Sequence, residues 1–332
     1  MSARVRTAVV LLQLGGPDSL DAVGPYLRNM FNHPDLVSAP WPFRSFVAKR
    51  MANEYASKLR PIFQSFGGAS PAIPQAEAQA KTFERRLTSM GLGFTVRVGM
   101  RHWHPYIEDV VRDLIEGGVD RIIALPLHPH SSRLTVVDQT NEFKRAVAKI
   151  DSNVQVMTTA EFGEHPRYVE CMSELLQRTL SMDAEGAPQP MHVLFTAHSI
   201  PETSLRKGDD YPQKAKASVE AIVGHITGQP DWSLCYKKGV GPGKWVGPFI
   251  EDRIEELAQK GVRSLIVVPT SFVSEQVETL YDLDEKYYAI AEKAGIECYM
   301  RVATPQTNPI FIDALTDLVM EALDANRSSN GP

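Results

Sequence analysis

Residues 118–126 read GVDRIIALP and residues 261–269 read GVRSLIVVP, two segments that align without a gap 143 residues apart. Each reads as the end of a helix, a buried strand, and a proline that stops the strand and opens a loop. The match indicates two similar halves, one built around each segment. Because glycine and proline often coincide in α/β proteins, duplication and chance both stay open on this pattern alone.

Short apolar runs alternate with amphipathic stretches of helical period along the chain. The predicted strands are residues 8–14, 95–99, 121–127, 154–158, 192–197 and 264–269. Runs that are apolar throughout suit strands covered on both faces, as in a parallel sheet flanked by helices. The sequence therefore predicts an α/β fold. A proline-rich tract at 186–190, after a predicted helix at 166–180, indicates a domain boundary near residues 165–190.

Length and composition set the class of protein. The chain has 332 residues, which suggests two domains of roughly 150 residues each. Its net charge of -5, with no long Lys/Arg block, argues against nucleic acid as a partner. The apolar run 8–12 is too short for an export signal, and no apolar stretch reaches the length of a membrane span. We expect a cytoplasmic protein.

Polar residues cluster where the predicted strands end, which is where open α/β sheets bind ligands. The strand ends carry Gly15-Gly16, Arg101-His102, His128-Pro129-His130, His198-Ser199 and residues 271–278. No phosphate-loop or nucleophile-elbow spacing accompanies them. The histidines of the HxH pairs could simply satisfy loop backbone groups. His198 is a stronger candidate, because a polar side chain ending an apolar strand must face a cleft or find a buried partner.

Four acids recur on one face of a helix expected to begin near Ser274. They are Glu275, Glu278, Asp282 and Glu285, at i, i+3, i+7 and i+10. Such a stripe is commonly just a solvated helix face. Here the first turn follows a strand end, so we expect the stripe to lead out of the cleft and to attract a cationic substrate.

The segment 26–46 is rich in large apolar side chains but is interrupted by Pro34, Pro40 and Pro42, so it cannot form one regular helix. It could pack as ordinary core. The alternatives are a lip over a pocket, or a surface patch that contacts a membrane or a partner.

These residues belong to an ordered set of motifs, and the chain resembles the ferrochelatases, which insert ferrous iron into a porphyrin. The motifs are LLQLGGP at 11–17, GGASP at 67–71, RHWHP at 101–105, FTAHSIP at 195–201, GDDYP at 208–212, WVGP at 245–248 and VETLYDLD at 277–284. The resemblance implies two Rossmann-like domains, each a parallel sheet flanked by helices. It implies a first domain at 1–165, with the lip at about 26–46 and completion by a C-terminal helix at 308–326, and a second at 166–307.

By similarity, His198 and Glu278 are the catalytic pair and the metal ligands. Two pyrrole protons must leave and a hydrated Fe²⁺ must shed water, which calls for a base and for borderline or hard ligands. His198, near an ordinary pKa of about 6.5, can take a proton. Glu278 can ligate iron or pass protons outward along Glu275 and Asp282.

The resemblance also implies a set of substrate-binding residues. The porphyrin walls should be Leu14, Met30, Phe31 and Trp245, with Arg50 and Ser70 near the porphyrin or its propionates, and Arg101 and His102 on the face opposite His198. Three departures from the family pattern stand out: Gln276 replaces an expected histidine, Ala69 replaces a glycine, and Lys237-Lys238 replace a polar Gln-Ser pair. We expect Gln276 to point away from the acids, about 200° round the helix axis from Glu278.

No cofactor is expected beyond the iron and porphyrin substrates. A cysteine-ligated [2Fe-2S] cluster needs four ligands, and Cys171, Cys235 and Cys298 are three and lie more than 60 residues apart. Protoporphyrin IX is the preferred substrate and coproporphyrin III the alternative; a peripheral contact with the inner face of the cytoplasmic membrane is also expected. A cobalt or nickel tetrapyrrole chelatase and a two-lobed haem or metal-binding protein remain as rivals. The sequence leaves the oligomeric state open.

Overall fold

Two parallel four-stranded sheets form the frame of the protein. The computed structural model describes residues 5–37, 39–41, 43–240 and 243–329. The first sheet contains β1 (Thr7–Gln13), β2 (Thr95–Met100), β3 (Arg121–Pro126) and β4 (Gln155–Thr158), in the order β2-β1-β3-β4. The second contains β5 (Met191–His198), β6 (Trp232–Lys237), β7 (Ser264–Pro269) and β8 (Cys298–Arg301), in the order β6-β5-β7-β8.

The two sheets share one topology, and the repeated segments occupy the same place in each. β3 and β7 both pair in parallel with the first strand of their own sheet, with Val9 opposite Ile123 and Val193 opposite Ile266. The internal sequence match therefore corresponds to a structural repeat, and the expected α/β class is confirmed.

Eleven α-helices and two π-helical segments surround the sheets in the described part of the chain. They are α1 (Val23–Phe31), α2 (Phe43–Ser65), α3 (Ala72–Ser89), α4 (Ile107–Glu116), α5 (Val136–Ile150), α6 (Pro166–Arg178), α7 (Glu202–Arg206), α8 (Tyr211–Gly224), α9 (Ile250–Gln259), α10 (Tyr287–Ala294) and α11 (Pro309–Ser329), with π-helices at Thr179–Asp183 and Glu278–Lys286. None of the helices described combines the length and apolar character needed to cross a bilayer.

Alternation along β1 explains why both faces of the sheet are covered. Val10 and its neighbours two residues away pack into a cluster with α4 and α5, whereas Val9 and Leu11 pack on the opposite face with Phe83 of α3. That second cluster continues into the other half through Phe195 and into α11 through Phe311. One continuous core therefore joins the halves, with α11 packed against α3 and α6.

Two strands were not predicted, β6 and β8, and they form the two opposite edges of the second sheet. β6 reads WSLCYK and is mixed in polarity, and β8 has only four residues, all half-buried. Edge strands are covered incompletely, so they lack the continuous apolar run that marks a central strand.

The segment 26–46 forms no single helix, as predicted. It includes the end of α1, a connection, and the start of α2; Ser38 and Pro42 lie outside the described residues. Helices α1 and α2 pack against one another, with the Phe31 ring 5.5 Å from the Tyr55 ring. The connection is tied down by Asp35, which forms ion pairs with Arg133 and with Lys207.

Candidate active site

A cleft opens at the carboxyl ends of the central strands, between the two sheets. The residues lining it from the first half include Leu14, Tyr26, Met30, His33, His102, His128 and His130, and those from the second half include His198, Lys237, Trp245, Ser271, Phe272, Gln276 and Glu278. The structure thus brings together six of the residues predicted to form the site, namely Leu14, Met30, His102, His198, Trp245 and Glu278.

His198 is the last residue of β5, so its side chain emerges where the strand enters the cleft. Its ring lies against Phe272, with centroids 4.5 Å apart, and its backbone N–H donates to Ser271 Oγ at 3.3 Å. Tyr211 completes this support through a 2.7 Å hydrogen bond between its hydroxyl and Ser271 Oγ. The imidazole is held by packing and by a fixed backbone rather than by a carboxylate.

The proton affinity of His198 differs from the expectation of an ordinary value. Burial, assisted by the positive charge of Lys237, lowers the pKa of His198 to about 3. Both causes disfavour the imidazolium. The ring is therefore neutral at physiological pH, and the same burial and charge that keep it neutral also lower its affinity for a proton.

Glu278 begins the π-helix Glu278–Lys286 and is half-buried in the cleft. Tyr26 lies on the opposite wall, where burial and then the charge of Glu278 raise the pKa of its hydroxyl. Lys237 Nζ lies 3.8 Å from Glu278 Oε1. The carboxylate thus faces a neutral phenol and a cation.

The predicted acid stripe is wrong as a continuous path. Helical structure begins around Glu278 rather than near Ser274, so Glu275 lies ahead of the helix. Glu275 is buried and accepts hydrogen bonds from Thr279 and Thr304, at 2.6 and 2.8 Å, and pairs with Arg301 at 3.2 Å. Its carboxylate is therefore engaged in structural contacts with Thr279, Thr304 and Arg301.

Gln276 also differs from its prediction, for the same reason. Because residues 275 and 276 precede the helix, helical periodicity does not apply between Gln276 and Glu278. Gln276 lines the cleft together with Glu278 instead of pointing away from it.

The apolar wall around Trp245 is built by close backbone contacts. A Cβ added to Gly239 would lie only 2.0 Å from the Trp245 ring, so glycine is required for the indole to lie against the chain there. Ser199 Oγ donates to the Val246 carbonyl at 2.7 Å, which ties the loop carrying Trp245 to the end of β5. The wall and His198 are therefore positioned by one local network.

Arg101 and His102 are adjacent in the chain, but only His102 lines the cleft. His102 is buried at the cleft wall, whereas Arg101 forms a bidentate pair with Asp138 at 2.5 and 3.3 Å. Arg101, His102 and Asp138 all line a second, polar groove that adjoins the cleft, and only His102 of the three also lines the cleft. Although burial opposes the charge of Asp138, hydrogen bonds from His33 and Arg101 hold its pKa at about 2. Arg101 is thus committed to a structural ion pair.

Three further residues predicted to bind substrate lie away from the cleft. Phe31 is fully buried between α1 and α2, and Arg50 is on the exposed face of α2. Ser70 is buried in a loop, where its backbone N–H donates to the Pro17 carbonyl at 2.7 Å and its side chain lies against Gly16. The family motif around Ser70 here shapes the turn rather than the cleft surface.

His128 and His130 line the cleft, although neither was placed in the predicted site. Gln139 Nε2 lies 2.9 Å from His128 Nε2, and burial lowers the pKa of His128 to about 3. Since the imidazole is neutral and the amide nitrogen is a donor, His128 Nε2 is the acceptor. The HxH motif at residues 128–130 was the sequence signal that could have identified both histidines as cleft residues. No comparable motif marked Tyr26 or His33.

No three His, Cys, Asp or Glu side chains among the residues described converge closely enough to hold a metal ion. His198 and Glu278 both line the cleft, and the charged side chain that lies beside Glu278 there is Lys237.

The fold is that of the chelatases. SirB from Bacillus subtilis, solved with Fe³⁺, is similar over 76% of this chain and 91% of its own length, with a TM-score of 0.55 at 14% identity. DR2241 from Deinococcus radiodurans, described as structurally similar to chelatases, matches 96% of this chain and 56% of its own, with a TM-score of 0.51 at 12% identity. These likenesses establish the fold.

Sequence comparison then assigns the chain to one family. The ferrochelatase family model matches residues 6–323. A ferrochelatase of Aquifex aeolicus is 39% identical over 316 residues, covering 95% of this chain and 99% of the relative. One from Geobacter metallireducens is 36% identical over 318 residues, covering 96% and 98%. The chain belongs to the ferrochelatase family, so the resemblance read from its motifs is confirmed.

Proposed function

We propose that this member of the ferrochelatase family inserts Fe²⁺ into protoporphyrin IX, with His198 as the base and Glu278 as the iron ligand. The observation that carries the proposal is the cleft itself, in which a neutral imidazole and a carboxylate lie among apolar walls. Family membership supplies the reaction, an iron insertion into a porphyrin. The choice of porphyrin and the residue roles are the proposal.

Metal insertion releases two pyrrole protons, and His198 accepts them one at a time, passing the first to solvent before it takes the second. A base must be deprotonated before it acts, and burial keeps this imidazole in that form. The Phe272 ring and the end of β5 restrict its orientation, so its lone pair is presented to one place in the cleft. Positioning of this kind lowers the entropic cost of proton transfer.

Glu278 offers a carboxylate oxygen to the incoming Fe²⁺. The neutral His198 can offer a nitrogen only before it acts as the base, because its one unprotonated nitrogen has a single lone pair for either role. Ferrous iron accepts both kinds of donor. Leu14, Met30 and Trp245 provide apolar surface against which a flat macrocycle can lie.

The lip also supports a peripheral contact with a membrane. The side chains of Trp41, Phe43 and Phe46 are about 70% exposed, at 72%, 70% and 72%, and the cation Lys49 is also exposed nearby on α2. Exposed aromatic residues beside cations suit the interface of an anionic bilayer. A porphyrin partitioned into that bilayer would reach the cleft without crossing water.

Anaerobic incubation of the purified protein with Fe²⁺ and each porphyrin tests the assignment. We expect the free-base absorption bands of protoporphyrin IX to collapse to the metalloporphyrin pattern faster than those of coproporphyrin III. Parallel reactions with Co²⁺ and Ni²⁺ test the rival chelatase activities. Faster turnover of coproporphyrin III, or of either rival metal, would overturn the substrate choice.

A further inference from the structure

Lys237 occupies a place in the cleft that the proposed chemistry does not use. Strand register sets Lys237 of β6 directly beside His198 of β5, and the Ser199 backbone N–H donates to the Lys237 carbonyl at 2.9 Å. Neighbouring residues in a parallel register project to the same face of a sheet. The ammonium group is therefore carried to the cleft by the same strand ends that carry the imidazole.

Two acids of the π-helix hold this ammonium group. Lys237 Nζ lies 2.5 Å from Asp282 Oδ2 and 3.8 Å from Glu278 Oε1, and the lysine side chain is only 21% exposed. Burial opposes its charge, but Glu278 and Asp282, with a smaller contribution from Glu251, outweigh burial, and the pKa of Lys237 lies above its usual value. The cleft contains a resident cation next to the proposed iron ligand.

We infer that Lys237 acts as a built-in counter-ion that weakens the binding of divalent metal at Glu278, so that the metal passes to the porphyrin instead of being retained. The inference rests on the proposed role of Glu278. With the ammonium present, the three charged groups sum to -1; without it, they would sum to -2. A divalent ion at Glu278 would also lie within a few ångströms of the ammonium, where like charges repel strongly.

Weak binding of the divalent metal at Glu278 favours turnover. A metal held tightly by the protein before insertion stabilises the ground state without stabilising the transition state, which lowers KM and kcat together. Lys237 thus acts through Glu278 and Asp282: its ammonium group offsets their negative charge and so weakens metal binding, without contact between Lys237 and the porphyrin.

Binding of Zn²⁺ alone to the full-length protein tests the inference by equilibrium dialysis, with no porphyrin present. Removing the ammonium charge in Lys237→Gln should tighten Zn²⁺ binding by at least about tenfold, from the Coulomb repulsion lost. Lys237→Arg keeps the charge and should bind Zn²⁺ as the wild type does. Lys216→Gln is the matched control, since Lys216 carries the same charge but pairs with Glu220 on the exposed surface of α8.

Insertion kinetics with Fe²⁺ give the second readout. Lys237→Gln should lower both KM for iron and kcat, whereas a loss of structure would lower kcat without lowering KM. Asp282→Asn should act in the opposite direction on metal affinity, because it leaves the ammonium to Glu278 alone. Unchanged Zn²⁺ affinity in Lys237→Gln, or affinity that changes in the same direction in both variants, would overturn the inference. If the proposed function itself is wrong, the alanine variants of Glu278 or His198 would keep full activity, which distinguishes that failure from a failure of the inference about Lys237.

Discussion

His130 predicts a measurable acid sensitivity of the fold. Its imidazole is 2% exposed, packs edge-on against Tyr211 with centroids 6.0 Å apart, and neither ring nitrogen has a hydrogen-bond partner among the residues described. Burial, with a smaller contribution from the positive charge of Lys214, lowers the pKa of His130 to about 3. The folded protein therefore holds this histidine neutral.

The sign and size of the effect follow from proton linkage. An unfolded histidine has a pKa of about 6.5. Between that value and about 3, the unfolded chain binds the additional proton, so the free energy of unfolding falls as pH falls. The stabilisation is fully present above pH 6.5. Each pH unit below it costs about 1.4 kcal/mol per buried histidine, so acidification from pH 7 to pH 5 costs about 2 kcal/mol through His130.

Urea unfolding of the wild type and of His130→Leu at pH 7 and pH 5 measures this contribution. Leucine fills the site without titrating, so the variant should lose about 2 kcal/mol less stability on acidification than the wild type. His225→Leu, at an exposed histidine, serves as the control and should follow the wild-type pH dependence. Parallel stability curves for His130→Leu and the wild type would refute the argument.

Other predictions follow from the site and the lip. His198→Ala should keep porphyrin binding, measured by fluorescence quenching, and lose at least about 100-fold in iron insertion because the base is gone; near wild-type insertion would exclude that role. Glu275→Gln should lower the free energy of unfolding by about 3 kcal/mol by breaking a buried ion pair, as measured by urea titration, and an unchanged midpoint would contradict the structural role of Glu275. The double change of Trp41 and Phe43 to serine should reduce flotation with anionic liposomes, and equal flotation would exclude the lip as the contact. Gln276→His should leave the pH profile of iron insertion almost unchanged if this position only orients its neighbours, whereas a new ionisation near the ordinary histidine pKa of about 6.5 would identify a proton relay.

Much of the fold could be read from the sequence because buried strands and amphipathic helices leave local patterns. The apolar runs at 121–127 and 264–269 correspond to β3 and β7, and the repeat between them reflects equal places in two sheets. The edge strand β8 was missed because half-buried residues carry no continuous apolar run. The extent of burial, and not the strand propensity of the residues, therefore decided which strands could be predicted from the sequence.

The sequence alone determined the α/β class, the two like halves and, through ordered motifs, the candidacy of His198 and Glu278. Only the tertiary structure decided which charges meet. Arg101 was expected at the porphyrin, but Asp138, 37 residues away, takes its guanidinium. Lys237 reaches Asp282 and Glu278 because β6 ends beside β5 and the π-helix follows β7. A charged side chain carries no local trace of its partner, since the pairing is set by strand order and by helix geometry across segments distant in sequence.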